Sequence, residues 1–507
     1  MTTDTETDRP ISPATEEGPS TLRTLAPLLG GPALFLLILA LPSPAGLAPE
    51  AQRVGAVSAL MAVWWMTEAI PLPATALLPI ALFPLLRVMS PGAAAAPYAH
   101  ELIFLFFGGF LLAAAMQRWG LHRRVALRVV AAVGVQPRRL VLGFMLATGF
   151  LSMWISNTAT VVMMLPIAIA ILTLLEAEAD RMGTALMLGI AYAASIGGVA
   201  TLIGTPPNAI FAAAASTMLG RSIGFMDWMQ VGLPLAAVML LLTWALLVRV
   251  LYPLPGASGA SGADAGAEEL VRGEARGLGP MRAGEKVVAA VATLAALAWV
   301  MREPKDVGVF TIPGINTYAP MVSDAVIAVA AALVLFAFPI SIRTRTFVLD
   351  WESAVAIPWG VLLLFGGGLS LARGFEETGL AAWIGELVAV LGAVPTLVLL
   401  AAVVALFIFL TEITSNTATA TMGMPIMAGV AAGIGAEPLT LMAAAALACS
   451  MAFMLPVATP PNAIVFGSGR VTIGQMIRAG LWLNLIAIVL ITLTAYLLLG
   501  AVFSATS

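Results

Sequence analysis

The hexapeptide T-P-P-N-A-I occurs twice in this chain, as Thr205-Pro206-Pro207-Asn208-Ala209-Ile210 and as Thr459-Pro460-Pro461-Asn462-Ala463-Ile464, each time after a long apolar run. Two adjacent prolines cannot sit inside a continuous helix without removing two N–H donors and crowding the carbonyls of the preceding turn. A chain that interrupts its apolar stretches twice in the same way must satisfy the freed backbone groups twice. That requirement limits the fold more than any other feature.

The solvent for these breaks follows from composition. With 60% hydrophobic and 10% charged residues over 507 positions, and a mean hydropathy of +1.00, the chain has more apolar surface than a water-soluble globule can bury. It reads as an all-α polytopic membrane protein, because only helices and closed barrels satisfy their backbone groups in lipid. The net charge of −3 and the absence of a basic patch give nucleic acid no footing. Cys449 is the single cysteine, so no disulfide framework or cysteine-built metal site can form within one chain. His100 and His122 are the only imidazoles, which disfavours a histidine metal site as well. Residues 1–23 are polar and acidic, unlike the basic start of a cleaved signal peptide.

A spanning helix needs about 20 apolar residues. On that basis spans lie near 24–42, 53–70, 71–88, 101–117, 184–217, 229–250, 284–301, 323–341, 355–372, 437–470 and 476–501, about 11 in all. The segment from Pro255 to Pro280, rich in Gly, Ala and Ser, reads as a flexible loop between two halves. If Arg118, Arg123, Arg124, Arg128, Arg138 and Arg139 are cytoplasmic, alternation leaves only Arg53, Arg87, Arg221, Arg302, Lys305 and Arg373 outside. The expected location is a bacterial-type plasma membrane, with the N-terminus cytoplasmic and the C-terminus external.

The duplication extends beyond the prolines. Phe107-Gly108-Gly109 with Gly120-Leu121 is echoed by Phe365-Gly366-Gly367 with Gly379-Leu380, and Ser156-Asn157-Thr158-Ala159-Thr160 by Ser415-Asn416-Thr417-Ala418-Thr419. Three landmarks in one order define a repeat, roughly 101–250 against 353–501. Its copies start an odd number of crossings apart and therefore insert in opposite senses, the inverted repeat of secondary transporters.

The stretches 137–176 and 394–432 each carry a polar cluster at mid-length: the uncharged Ser152, Ser156, Asn157, Thr158 and Thr160 in the first, and Thr411, Glu412, Thr414, Ser415, Asn416 and Thr417 in the second, where Glu412 adds one acid. Two full spans would put the clusters in loops, and re-entrant hairpins would put them inside the membrane. The lack of charge in the first and of Gly or Pro at both turns favours hairpins. At the T-P-P-N breaks the expected free carbonyls are those of Leu202, Ile203, Pro456 and Val457, which suit a small cation. N–H groups beyond the prolines suit an anion. These sites hold neutral oxygens and almost no titratable groups, which fits Na+ better than a transition metal or a proton relay. Anion and cation then strengthen each other's binding, as coupled transport requires.

Taken with T-E-I-T-S-N-T-A-T and L-P-V-A-T-P-P-N-A-I-V-F, the paired S-N-T and T-P-P-N motifs resemble the divalent anion/sodium symporter family, the INDY-type carriers of citrate and dicarboxylates, over roughly residues 55–500. The resemblance implies a homodimer in which a scaffold holds a transport domain that moves as an elevator. It implies one Na+ at Ser152, Ser156, Asn157 and Gly204 and a second at Thr411, Thr414, Asn416 and Ala458. Substrate carboxylates would meet Asn157, Thr158, Asn416 and Thr417, with Thr205, Pro206, Thr459 and Pro460 completing the pocket. The chain then divides into a tail (1–23), scaffold helices with an interfacial helix (24–133), a first transport half (137–250), a flexible cytoplasmic loop (251–283), a second scaffold segment (284–391) and a second transport half (394–501).

Other conspicuous residues have plainer readings. Glu68 fits an interfacial anchor. Glu412, beside the second S-N-T, either tunes Na+ affinity or stabilises the hairpin. Leu121 to Val133 is an amphipathic interfacial helix, and Arg373, Glu376 and Glu377 begin its counterpart. The function expected is import of a di- or tricarboxylate with Na+, succinate, malate or fumarate being favoured, with no organic cofactor and with lipid as the surrounding partner. Na+-independent exchange on the same fold and an anion channel are the alternatives. No Ser/His or paired-carboxylate constellation points to an enzyme.

Overall fold

The computed structural model describes residues 21–174, 179–255, 262–306, 310–389 and 394–504. The tail reading falls mostly on residues 1–20, outside the described residues, and 21–23 already belong to the first helix. Helices dominate: α1 (Thr21–Ala40), α2 (Pro49–Thr67), α3 (Leu72–Thr75), α4 (Leu78–Leu85), α5 (Pro91–Ala95), α6 (Glu101–Arg118), α7 (Leu121–Val133), α8 (Pro137–Ser152), α9 (Asn157–Leu174), α10 (Ala179–Gly198), α11 (Pro206–Leu219) and α12 (Phe225–Ala245) come first. They are followed by α13 (Gly262–Gly277), α14 (Ala283–Val300), α15 (Ile315–Tyr318), α16 (Asp324–Ala337), α17 (Trp351–Val355), α18 (Trp359–Thr378), α19 (Leu380–Val388), α20 (Thr396–Thr411), α21 (Asn416–Ile434), α22 (Pro438–Cys449), α23 (Pro460–Gly467), α24 (Ile473–Thr494) and α25 (Gly500–Ser504). Two short antiparallel ribbons, β1 (Lys305–Asp306) with β2 (Thr311–Ile312) and β3 (Pro339–Ser341) with β4 (Thr346–Phe347), lie in the α14–α16 and α16–α17 connections.

The repeat is visible in the element order. The series α6 to α12 runs parallel in kind to α18 to α24: a long helix, a left-handed glycine, a short helix, two arms of a helical hairpin, two half-helices and a last long helix. The glycines at the first joint, Gly120 (φ 71°) and Gly379 (φ 76°), turn the chain from one helix into the next. Both final helices end in a π-helical turn, Leu246–Leu251 and Ala495–Leu499. A proline kinks the second hairpin arm of each copy, Pro166 in α9 and Pro425 in α21.

Several sequence expectations are revised. The span at 71–88 is not one helix: Pro73 and Pro79 stand in the first turns of two short helices, so it divides into α3 and α4. The loop assigned to 251–283 contains α13, which packs on α7 and α9. Its apolar side supplies the fully buried Val271, and its charged side faces solvent. Residues 256–261 of that loop lie outside the described residues. Arg373, Glu376 and Glu377 sit in the last turns of α18, and the counterpart interfacial helix begins only at Leu380. Among the described residues, five helical stretches are long and apolar enough to cross a membrane: Pro91–Arg118, Phe225–Leu251, Ala283–Val300, Asn416–Ile434 and Ile473–Leu499. Other apolar segments, such as Leu72–Leu85, Asp324–Ala337, Thr396–Thr411 and Pro438–Cys449, are shorter.

The two halves pack crosswise. Second half-helix α11 of the first copy rests on α21 and α22 of the second, while α23 rests on α9 and α10. Each hairpin is thereby tied to the broken helix of the other copy. Within one copy α8 crosses α10 at bare backbone, where a Cβ built on Gly197 would come 2.2 Å from the Gly149 carbonyl oxygen.

Candidate functional site

Each hairpin turns within a few residues. In the first, α8 ends at Ser152 and α9 starts at Asn157. In the second, α20 ends at Thr411 and α21 starts at Asn416. The turn brings the same pair of groups together in both. Ser152 Oγ lies 2.5 Å from Asn157 Oδ1 and 2.7 Å from the Ala194 carbonyl oxygen. Thr411 Oγ1 lies 2.6 Å from Asn416 Oδ1 and 3.0 Å from the Cys449 carbonyl oxygen. A hydroxyl at each hairpin end thus joins its tip asparagine to the last turns of the first half-helix of its own copy.

The breaks lie upstream of the prolines. Helix α10 stops at Gly198, before the non-helical stretch 199–205, and α22 stops at Cys449, before the irregular stretch 450–459 with one 3-10 turn at Pro456–Ala458. Prolines 206, 207, 460 and 461 occupy the first turn of the second half-helices, where no intrahelical N–H is needed. Among the described residues no hydrogen bond engages the carbonyls of Leu202, Ile203 or Val457, as expected, whereas those further upstream are occupied. In the first copy Asn208 Nδ2 donates to the carbonyls of Thr201 at 2.7 Å, Gly198 at 3.1 Å and Val199 at 3.4 Å. Trp228 Nε1 also donates to Val199, at 2.8 Å. In the second copy Asn462 Nδ2 donates to Leu455 at 3.0 Å and Ala452 at 3.2 Å.

Asn208 and Asn462 hold the unwound loops in shape, a role the duplicated T-P-P-N signalled without revealing. Their alanine variants leave carbonyls buried without donors. Each variant is expected to lose about 2 kcal/mol of stability, read as a lowered melting temperature of the purified protein.

The cradle at the first break is tight. A Cβ built on Gly198 would come 2.9 Å from Asn157 Oδ1 and 3.1 Å from the Gly204 carbonyl oxygen, so both oxygens converge on one point of bare backbone. Ser152, Asn157 and Gly204 are therefore brought together, and their neutral oxygens fit a small hard cation. Ser156, next to Asn157, is exposed at the tip, where its hydroxyl accepts from the Ala159 N–H at 3.3 Å. In the second copy Ala452 and Ala458 replace the two glycines. Thr414 Oγ1 is engaged with the Leu410 carbonyl at 2.8 Å and with Thr419 Oγ1 at 2.6 Å.

Anion donors are distributed differently from the expectation. Pro206, Pro207, Pro460 and Pro461 have no N–H. The next amide in each helix is already used: Asn208 N–H donates to the Thr205 carbonyl at 3.3 Å and Asn462 N–H to Thr459 Oγ1 at 3.3 Å. The N–H groups beyond the prolines are thus occupied, and Thr205 and Thr459 contribute only side chains at those helix starts. Among the described residues no hydrogen bond engages the N–H groups of Asn157, Thr158, Asn416 or Thr417. The open first turns belong to the hairpin tips, α9 and α21, whose positive ends complement a carboxylate.

Two further anchors emerge only in three dimensions. Trp154, at the first hairpin turn, stacks with Phe225 (6.1 Å between ring centres) and Trp299 (6.4 Å), which themselves stack at 4.6 Å. Glu412, in the second hairpin turn, accepts from the backbone N–H groups of Phe453, Met454 and Leu455 and from Asn484 Nδ2. Asn484 is the only asparagine of α24, midway along its apolar stretch, and no sequence pattern flagged it. Glu68 ends α2 at the surface in a left-handed backbone conformation (φ 48°).

With this geometry in place, comparison with known proteins is informative. Residues 23–503 match the family described as the sodium:sulfate symporter transmembrane region. The chain is 43% identical over 495 residues to the sodium-dependent dicarboxylate transporter SdcS of Staphylococcus saprophyticus, covering 94% of this chain and 92% of that protein. It is 42% identical over 501 residues to SdcS of Staphylococcus aureus, covering 96% and 93%. Among solved structures it resembles the Alcanivorax borkumensis YdaH transporter, with a TM-score of 0.57 at 18% identity over 88% of this chain and 98% of that one. It also resembles Neisseria gonorrhoeae MtrF, with a TM-score of 0.56 at 13% identity over 94% and 95%. At those identities the structural likeness speaks to the fold alone.

Proposed function

The chain belongs to the sodium:sulfate symporter family, and we propose that it couples Na+ to the import of a di- or tricarboxylate anion, with four-carbon dicarboxylates such as succinate, malate or fumarate as substrates. It is a transport protein and not an enzyme. Relatives at 42–43% identity over almost the whole chain are named sodium-dependent dicarboxylate transporters, which supports both the ion and the substrate class.

The observation that carries the reading is the duplicated contact of a hairpin hydroxyl with its tip asparagine and with its own broken helix, at Ser152 with Asn157 and at Thr411 with Asn416. In this reading one Na+ is held by Ser152, Asn157 and the Gly204 carbonyl, with Ser156 beside it, and a second by Thr411, Thr414, Asn416 and the Ala458 carbonyl. Asn157 and Asn416 each present one amide oxygen toward a cation and further polar atoms toward substrate. The free N–H groups of Asn157, Thr158, Asn416 and Thr417 and the two threonine hydroxyls receive one carboxylate at each tip. Thr205 and Thr459 add hydroxyls, and Pro206 and Pro460 close the walls with ring carbons. Bound Na+ attracts the carboxylates and bound carboxylates attract Na+, so each raises the other's affinity by the same factor.

Transport then follows an elevator-type cycle. The hairpins, broken helices and last helices of both copies form a unit that moves against a scaffold built from the remaining helices, within a homodimer whose N-termini are cytoplasmic. Reconstituted protein is expected to accumulate labelled succinate in liposomes under an inward Na+ gradient and to fail when choline replaces Na+. Uptake that ignores Na+ but requires internal dicarboxylate would sink this proposal and leave exchange. Current without accumulation would leave a channel.

A further inference from the structure

Glu412 is the only acidic residue in either hairpin (137–174 and 396–434), and the breaks at 199–205 and 450–459 contain no charged residue at all. Its carboxylate accepts from the N–H groups of Phe453 at 2.7 Å, Met454 at 2.9 and 3.0 Å and Leu455 at 3.2 Å, and from Asn484 Nδ2 at 2.7 Å. The side chain is 3% exposed. Every partner is a neutral donor, and no ion pair among the described residues includes it. An ionised carboxylate only accepts, so surroundings made wholly of donors suit the charged form. A buried charge held by neutral dipoles alone is expensive unless something of opposite sign is nearby.

The first copy shows that holding the hairpin to the break does not require that charge. Ser152-Met153 stands where the second copy has Thr411-Glu412. There the tie is made by Thr201 Oγ1, which donates to the Met153 carbonyl at 2.6 Å. A neutral hydroxyl does for one break what a buried anion does for the other. The charge therefore has a use beyond mechanics, and the adjacent groups indicate what it is. Thr411, the preceding residue, carries the hydroxyl that joins Asn416 to the Cys449 carbonyl. The amides that bind Glu412 belong to the same loop as Ala458.

We propose that Glu412 is the fixed counter-charge of the cation site in the second copy, which makes that site the tighter of the two and the one filled first. This rests on the Na+-coupling reading above. Glu412 acts through its field and not as a ligand, because its oxygens are already occupied by the loop amides. The first copy, with Met153 in the equivalent place, holds its cation by neutral oxygens alone.

The test is Na+-dependent thermal stabilisation of the purified full-length protein, titrated against choline at constant ionic strength. Glu412→Gln is expected to raise the Na+ concentration at half-maximal stabilisation about tenfold or more. Melting in choline alone is expected to fall, because the new Gln Nε2 meets backbone N–H donors at either carboxyl-oxygen position, Phe453 and Met454 at one and Met454 and Leu455 at the other. Asn484→Leu removes one donor and keeps the charge, so its Na+ midpoint is expected to stay level or fall. A Gln variant that melts lower in choline yet keeps the wild-type Na+ midpoint would overturn the proposal, as would a raised midpoint in Asn484→Leu. Wild-type protein that is not stabilised by Na+ at all would overturn the coupling reading and this proposal with it.

Discussion

Asn157→Ala and Asn416→Ala are each expected to reduce Na+-driven dicarboxylate uptake at least about a hundredfold, while the protein still folds and purifies in its native oligomeric state. In the proposed site, either change deletes one amide oxygen directed at a cation and polar atoms directed at a carboxylate. Contacts of this charged kind contribute about 1.5–3 kcal/mol each, so losing two exceeds a factor of a hundred. Folding survives because the neighbouring groups keep partners: Ser152 Oγ retains the Ala194 carbonyl at 2.7 Å and Thr411 Oγ1 the Cys449 carbonyl at 3.0 Å. Initial-rate uptake into proteoliposomes, paired with size-exclusion profiles, checks both parts. Na+-stimulated uptake retained in both variants would refute the site.

The second large effect concerns the joint between α7 and the inter-half segment. Arg124 is buried and forms a two-point pair with Glu285 at the start of α14, through Nε to Oε1 and through Nη2 to Oε2 at 3.0 Å. Its remaining protons go to the carbonyls of Gly279 at 2.8 Å and Leu278 at 3.3 Å. Glu285→Ala leaves the guanidinium buried with only carbonyl partners, at an expected cost of about 3–5 kcal/mol. The double variant Arg124→Met, Glu285→Leu removes both charges and is expected to recover most of that loss, because a buried pair adds little over an apolar replacement. Fluorescence-detected melting of the single and double variants tests this. A double variant no better than the single would show that the carbonyl caps, and not the unpaired charge, carry the stability.

Much of the architecture was legible in the sequence because the same physics was written twice. Long apolar runs, S-N-T tips and paired prolines each specify an element locally, and their recurrence in one order exposed the repeat. Expectations failed where satisfaction of backbone groups depended on distant partners. The prolines marked the breaks, but the helices had already ended before them. Asn208 and Asn462 donate back to the loops, and this folding-back decides which carbonyls stay free. A list of residues does not contain that choice. The loop between halves looked flexible because its glycines and serines disfavour helix; docking of its apolar face on α7 and α9 makes it helical.

The sequence by itself determined a duplicated all-α membrane protein with two interrupted helices and two asparagine-tipped hairpins. Periodicity, proline chemistry and the cost of burying polar backbone act over a few residues, and each can be read from those residues alone. Only the tertiary structure decided that each hairpin hydroxyl reaches its own broken helix, that the open N–H groups sit at the tips and not behind the prolines, and that Glu412 is held by the second break while Met153 stands uncharged at the first. Those outcomes depend on distances between segments 38 to 42 residues apart, set by how the helices pack and not by any local preference.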